Sequence, residues 1–219
     1  MKYLIKQFFR ILGIEIHRVY KGESSQNILK QGTYNSDKLT FYSTSTGFYY
    51  LPTDAKNDII ARTIISNKIF EKEVVDIAFN HIEENTVVLD VGANFGQMSI
   101  LFSEKVGKKG KVYSFDADDY VFEILKRNID ANNKNDKIIP IFGAVHNISG
   151  QTLFFPKQDF KEFETYGSYG IDYNSKTGRE VKSIAIDDLN IQEKISFMKI
   201  DIQGGDLKAM EGVINTIKK

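Results

Sequence analysis

The chain has 219 residues, 42% hydrophobic and 26% charged, enough for one globular domain with a small extension. Its 29 basic and 29 acidic residues cancel, which removes any global electrostatic case for a nucleic-acid partner, and the absence of cysteine excludes disulfides and thiolate metal centres. The three histidines, His17, His81 and His146, are scattered without ligand spacing, so no metal is expected, and no apolar run approaches the roughly 20 residues of a membrane span.

Residues 1–21 place Leu4, Ile5, Phe8, Phe9, Ile11 and Leu12 on one helical face and Lys2, Lys6 and Arg10 on another, with a net charge of +4. Lys6 and Arg10 interrupt the apolar core that a signal peptide requires, and no small-residue cleavage site follows. The expected location is therefore cytoplasmic. The amphipathic arm suits peripheral contact with a membrane surface, or packing on its own domain or on a second subunit, which would make a homo-oligomer. The second reading is favoured. Residues 22–38 read as a polar linker.

Leu39–Tyr42 and Phe48–Leu51 read as two short strands around a loop at residues 43–47. Residues 1–52 together are expected to form a helical and hairpin extension, with the main domain over 53–219. Phe41, Tyr42, Phe48, Tyr49 and Tyr50 suit either strand packing or a platform for a sugar ring. Thr53 and Asp54 are placed to cap a helix carrying Ile59, Ile60, Ile64 and Ile65. A second helix is expected over Ile69–His81, opened by Glu71.

The stretch Val87–Val91 is an apolar, β-branched run expected to form a buried parallel strand. It contains Asp90, turns through Gly92-Ala93-Asn94-Phe95-Gly96, and opens a helix from Gln97 to about Lys105. Strand, glycine loop and helix form the front edge of a nucleotide-binding α/β fold, with free backbone N–H groups facing a ligand. The dinucleotide fingerprint G-x-G-x-x-G is absent, because Asn94 stands where the middle glycine belongs. That argues against a nicotinamide-dependent oxidoreductase.

Lys111–Phe115 reads as the second strand and ends in Asp116, 26 residues after Asp90. An acid at that place accepts two hydrogen bonds from a ribose diol. A helix with Val121, Phe122, Ile124, Leu125 and Ile129 on its apolar face follows. Ile138–Phe142 is the third strand, set at an edge by Pro140. His146 is a candidate general base or a solvated loop histidine. Gln151–Phe155 and Val181–Ile186 read as strands flanking a segment with Phe160, Phe163, Tyr166, Tyr169 and Tyr173, which suits acceptor binding as well as a plain excursion. Phe197–Asp201 is a further buried strand, and a helix is expected over Leu207–Ile217.

The segment Asp90-Val91-Gly92-Ala93-Asn94-Phe95-Gly96 resembles motif I of methyltransferases that use S-adenosyl-L-methionine (SAM), and its G-A-N form resembles the FkbM type. Three further segments agree in order: Phe115-Asp116, Asp187-Asp188-Leu189, and Lys199-Ile200-Asp201-Ile202-Gln203-Gly204-Gly205-Asp206. The family usually has Glu-Pro where this chain has Asp116-Ala117. The resemblance spans roughly residues 47–215. It implies a Rossmann-like parallel sheet and transfer of methyl from SAM to a hydroxyl of a small molecule, sugar, glycan or polyketide. It assigns Asp90, Gly92, Asn94, Gly96 and Asp116 to the cofactor, Ala144 to the adenine wall, and Glu71, near the start of the helix over the pocket, to the cofactor's charged end. Glu71 equally suits a first-turn role on the helix dipole. Asp201 is the leading catalytic candidate. The family's full sheet has about seven strands and this sequence supplies four with inserted strands, so a fragment or a minimal form is expected. A SAM-binding or partner-binding module without catalysis is the alternative.

Overall fold

The computed structural model describes residues 38–156 and 165–218. The expected N-terminal helix, the linker before residue 38, and Phe160 and Phe163 lie outside the described residues. Strands β1 (Leu39–Thr44) and β2 (Gly47–Pro52) form an antiparallel hairpin. Only Ser45 and Thr46 separate them, so the strands run closer together than the sequence predicts. Helices α1 (Ile59–Ile65) and α2 (Lys72–His81) follow. The core order is then β3 (Val87–Val91), α3 (Gln97–Lys105), β4 (Lys111–Asp116), α4 (Asp119–Ala131) and β5 (Ile138–Phe142). Short β6 (Ala144–Val145), β7 (Thr152–Phe155) and β8 (Arg179–Ile184) make a side sheet, and β9 (Ile195–Ile200) and α5 (Asp206–Glu211) close the described chain.

The central sheet has the order β5-β4-β3-β9 and is parallel throughout. This is the Rossmann-like architecture the sequence predicts, with Pro140 on the edge strand β5. The chain moves outward from β3 through β4 to β5, then returns to the other side of β3 as β9. The carboxyl ends of β3 and β9 therefore flank a topological switch point, where such sheets hold ligands.

The period-2 alternation of the strands divides the interior in two. Val88, Val112 and Phe197 face a core shared with α2, α3 and α4, whereas Val87, Leu89, Val91 and Ile200 face a second core with Ala209 of α5. The hairpin belongs to the first core: Tyr49 and Leu51 are fully buried in it.

Three helix boundaries differ from the sequence reading, each for a local reason. The cap of α1 is Asp58, whose side chain accepts from the Ala61 N–H, while Asp54 heads a single 3-10 turn, Ala55–Asn57. Helix α2 starts at Lys72, because Glu71 takes left-handed backbone angles (φ 47°). Helix α5 ends at Glu211, where Gly212 packs so tightly on the His146 carbonyl that a Cβ would lie 2.0 Å from it. The turns that follow are captured by Asp187, which accepts from Thr216 N and Oγ1 at 2.7 Å each and from Asn215 Nδ2 at 2.9 Å.

Candidate functional site

A cavity opens at the carboxyl ends of β3, β4 and β9, walled by the glycine loop, the β4–α4 turn, the start of β6 and residues 165–173. The glycine loop sets its floor. Gly92 has φ +81°, and a Cβ there would lie 2.1 Å from the Asp201 carbonyl oxygen, so only glycine lets β3 and β9 meet at their ends. The Asp201 N–H in turn donates to the Val91 carbonyl at 3.0 Å. Asn94 occupies the left-handed region (φ 51°), which asparagine tolerates, and its side chain accepts from the Phe95 N–H at 2.8 Å. Gly96 heads α3 with φ +87°, packed against Leu125.

Asp116 ends β4 on the cavity wall. Its two carboxylate oxygens accept from the Asn94 and Asp118 N–H groups, each at 2.9 Å. A carboxylate has about four acceptor positions, so two remain for a vicinal diol. Burial pushes its pKa up from 3.8 to about 6, with neighbouring Asp118 adding to the rise, while the two N–H bonds and the Lys199 ammonium oppose it. Asp118 is itself committed to capping α4 and to Arg179, whose guanidinium nitrogens sit 3.1 Å from its oxygens.

Asp90 is not on the cavity wall. Its strand position shares the parity of Val88, which turns the carboxylate toward α3. There it is fully buried, accepts from Ser99 Oγ at 2.5 Å and sits 3.4 Å from Lys199 Nζ. Ser114 Oγ extends the network by donating to Ser99, and Lys199 Nζ donates to the Gly92 carbonyl at 2.5 Å. Asp90 therefore supports the loop from beneath, through Ser99 and Lys199. Lys199 was visible in the sequence as part of the K-I-D motif, but its place as the tie between β9 and the glycine loop was not.

His146 is also displaced from the expected site. It is 7% exposed, its ring lies 5.5 Å from that of Tyr173, and its Nδ1 has no hydrogen-bond partner among the described residues. Burial and nearby Lys208 hold its pKa below the usual imidazole value. Its N–H is tied to the Ile184 carbonyl and its own carbonyl faces Gly212, which carries it behind the wall that Tyr173 forms. Ala144, buried at the start of β6, lines the cavity beside Val145, Phe115 and Ala117, an apolar wall suited to a flat ring. Glu71 lines the cavity from the α2 side and Asp201 from the end of β9. The structure thus brings together Gly92, Asn94, Asp116, Ala144, Glu71 and Asp201.

A family model described as the methyltransferase FkbM domain matches residues 90–219. The chain belongs to the FkbM methyltransferase family. Among curated proteins, the hexuronic acid methyltransferase AglP of Haloferax volcanii is 23% identical over 151 residues, covering 68% of this chain and 58% of that protein. The chain thus spans a little over half the length of this relative. Solved structures overlap in part. Trm5b from Pyrococcus abyssi matches 49% of this chain and 30% of its own at TM-score 0.34 and 20% identity. TYW2 of P. horikoshii, in complex with MeSAdo, matches 50% and 37% at TM-score 0.36 and 25% identity. A SAM-dependent methyltransferase from Aquifex aeolicus matches 42% and 46% at TM-score 0.34 and 26% identity.

Membership of the FkbM methyltransferase family implies SAM as the cofactor. The residues present fit it: a carboxylate with two spare acceptor positions for the ribose, an apolar wall at Ala144, and a glycine loop that brings backbone close to the ligand.

Proposed function

We propose that the protein transfers a methyl group from SAM to a hydroxyl of a sugar-like acceptor. The observation that carries this reading is the placement of two acidic residues, Asp116 and Asp201, in the lining of one cavity, at the ends of strands that flank β3 on either side. Asp116 suits the ribose. Asp201 suits the acceptor, because it stands across the glycine loop from Asp116. The name of the Haloferax relative, a hexuronic acid methyltransferase, supports a sugar acceptor.

When bound, SAM supplies an electrophilic methyl on a sulfonium. An acceptor hydroxyl held about 3–3.5 Å behind that carbon is placed for in-line attack. Asp201 would orient the acceptor hydroxyl and take its proton, and Asp116 would hold the ribose, while SAM would supply the methyl group and its sulfur would keep the electron pair of the broken carbon–sulfur bond. His146 is not among the residues that line the cavity, so Asp201 is the better candidate for the proton.

Titration calorimetry with SAM, S-adenosylhomocysteine (SAH) and NAD tests the cofactor half. Binding of SAM and SAH with none of NAD is expected, and the converse overturns the reading. Mass spectrometry of hexuronic-acid oligosaccharides incubated with SAM tests the acceptor half. The Asp201→Asn variant is expected to bind SAH within a few-fold of wild type while losing about 10²- to 10⁴-fold in turnover. SAM binding without transfer to any hydroxyl acceptor would favour a binding module.

A further inference from the structure

Residues 165–169 cross the cavity as a strap. On one side the Tyr166 N–H donates to Asp58 Oδ2 at 2.7 Å, and on the other the Gln203 side-chain amide donates to the Gly167 carbonyl at 2.9 Å. Between these ties, the Tyr166 ring is buried against Phe95 of the glycine loop (5.7 Å, edge-on) and Tyr120 of α4 (5.6 Å). Gly167 sits so low that a Cβ would lie 2.9 Å from Ile60 and 3.7 Å from the Asn94 amide. Asp58, Asn94 and Gln203 come from three separate parts of the chain; the strap is hydrogen-bonded to Asp58 and Gln203 and passes over Asn94 at Gly167.

Asp58 divides its carboxylate between two tasks. Oδ1 accepts from the Ala61 N–H at 2.8 Å and caps α1, while Oδ2 holds the strap, and the side chain is fully buried. The Thr165 side chain and the Ile60 N–H add further hydrogen bonds. A helix cap alone requires one oxygen, and serine or asparagine would serve as well. The second oxygen is what the strap requires.

Resting on the reading of the cavity as a SAM site, we propose that Asp58 is a positioning residue for that site, fixing the strap as the roof over Asn94 and thereby setting how tightly the cofactor is held. Asp58→Asn separates the two tasks. Its single acceptor oxygen keeps the cap, and its NH2 group faces the Tyr166 N–H, donor against donor. Asp58→Ser keeps a capping oxygen and removes the second altogether, which guards against a folding defect peculiar to asparagine.

The test compares full-length wild type, Asp58→Asn and Asp58→Ser by SAH calorimetry, thermal unfolding and limited chymotrypsin digestion, reading cleavage at Tyr166 and Tyr169. Both variants are expected to bind SAH about tenfold more weakly. Strap cleavage in the ligand-free protein should quicken about tenfold, with unfolding still one cooperative transition at a lowered midpoint, since the buried Tyr166 N–H loses its acceptor. SAH affinity within twofold of wild type, with strap cleavage unchanged, overturns the proposal. Weaker SAH binding with unchanged strap cleavage also overturns it, because the effect would then not run through the roof. If wild type itself ignores SAH, the SAM reading fails, and the cleavage rates still decide whether Asp58 holds the strap.

Discussion

At the scale of single residues, the chemistry of the site turns on Asp116. Its pKa stands near 6 instead of 3.8, chiefly because burial disfavours the charged form. The sign follows from linkage: a carboxyl raised in the folded state contributes stability that is fully present below its unfolded value and is lost as pH rises through about 6. The ligand-free fold therefore carries an ionised, partly desolvated Asp116 at neutral pH, restrained by the Asn94 and Asp118 N–H groups and by Lys199. A ribose diol supplies two further donors, which the charged form accepts more strongly than the neutral one. SAH affinity is expected to fall roughly tenfold between pH 7 and pH 5, as the ionised fraction drops. The rise in unfolding midpoint produced by SAH should be larger at pH 7.5 than at pH 5. Calorimetry and thermal unfolding across that range check this, with Asp116→Asn expected to bind weakly and without the pH slope. A wild-type affinity flat from pH 5 to 7.5 would detach Asp116 from the ligand. The position of Asp116 was legible in the sequence, because an acid ending the strand after motif I has few places to go. The role of Asp90 was not: it depends on which face of β3 the side chain takes, and the motif is the same either way.

At the scale of elements, strands were the most legible feature, because continuous β-branched runs such as Val87–Val91 admit few other readings. Contacts that join elements distant in sequence were not. Asp58 meets Tyr166 across 108 residues, and Asn128 meets Tyr50 across 78. The second pair shows how α4 serves the edge of β2 as though it were another strand. Asn128 accepts from the Tyr50 N–H at 2.6 Å and donates to its carbonyl at 3.2 Å, and Asn132 does the same for Phe48 at 2.9 and 2.7 Å. One helical turn on α4 matches two residues of rise on the strand, so two asparagines four apart satisfy alternate strand residues. Asn128 also donates to the Phe95 carbonyl at 2.9 Å, which links the hairpin to the glycine loop. Nothing in the helix periodicity marks either asparagine for this task. Asn128→Ala leaves buried backbone groups without partners and is expected to cost about 3 kcal/mol, against about 1 kcal/mol for the more exposed Asn132→Ala. Denaturant titration of the two variants checks the difference, and equal costs would mean that the link to Phe95 contributes nothing.

At the scale of the whole molecule, the question is whether the hairpin is an appendage or part of the domain. The sequence places a boundary near residue 52, since the polar stretch before the hairpin and the helix pattern after it look like separate pieces. The packing argues for one unit beginning no later than β1. Tyr49 and Leu51 are fully buried in the core that also holds Val88 of β3, Phe102 of α3 and Leu125 of α4. Burying two such side chains contributes about 3–6 kcal/mol, a large part of the 5–15 kcal/mol typical of a domain. Removing the hairpin would also expose the edge of α4 that carries Asn128 and Asn132. The loss would reach the cavity through the Phe95 carbonyl. A chain that starts at Thr53 is therefore expected to lose cooperative thermal unfolding and SAH binding together. If it unfolds in one sharp transition and binds SAH as the full chain does, the boundary at residue 52 is real, and the hairpin is an attachment to a domain complete without it.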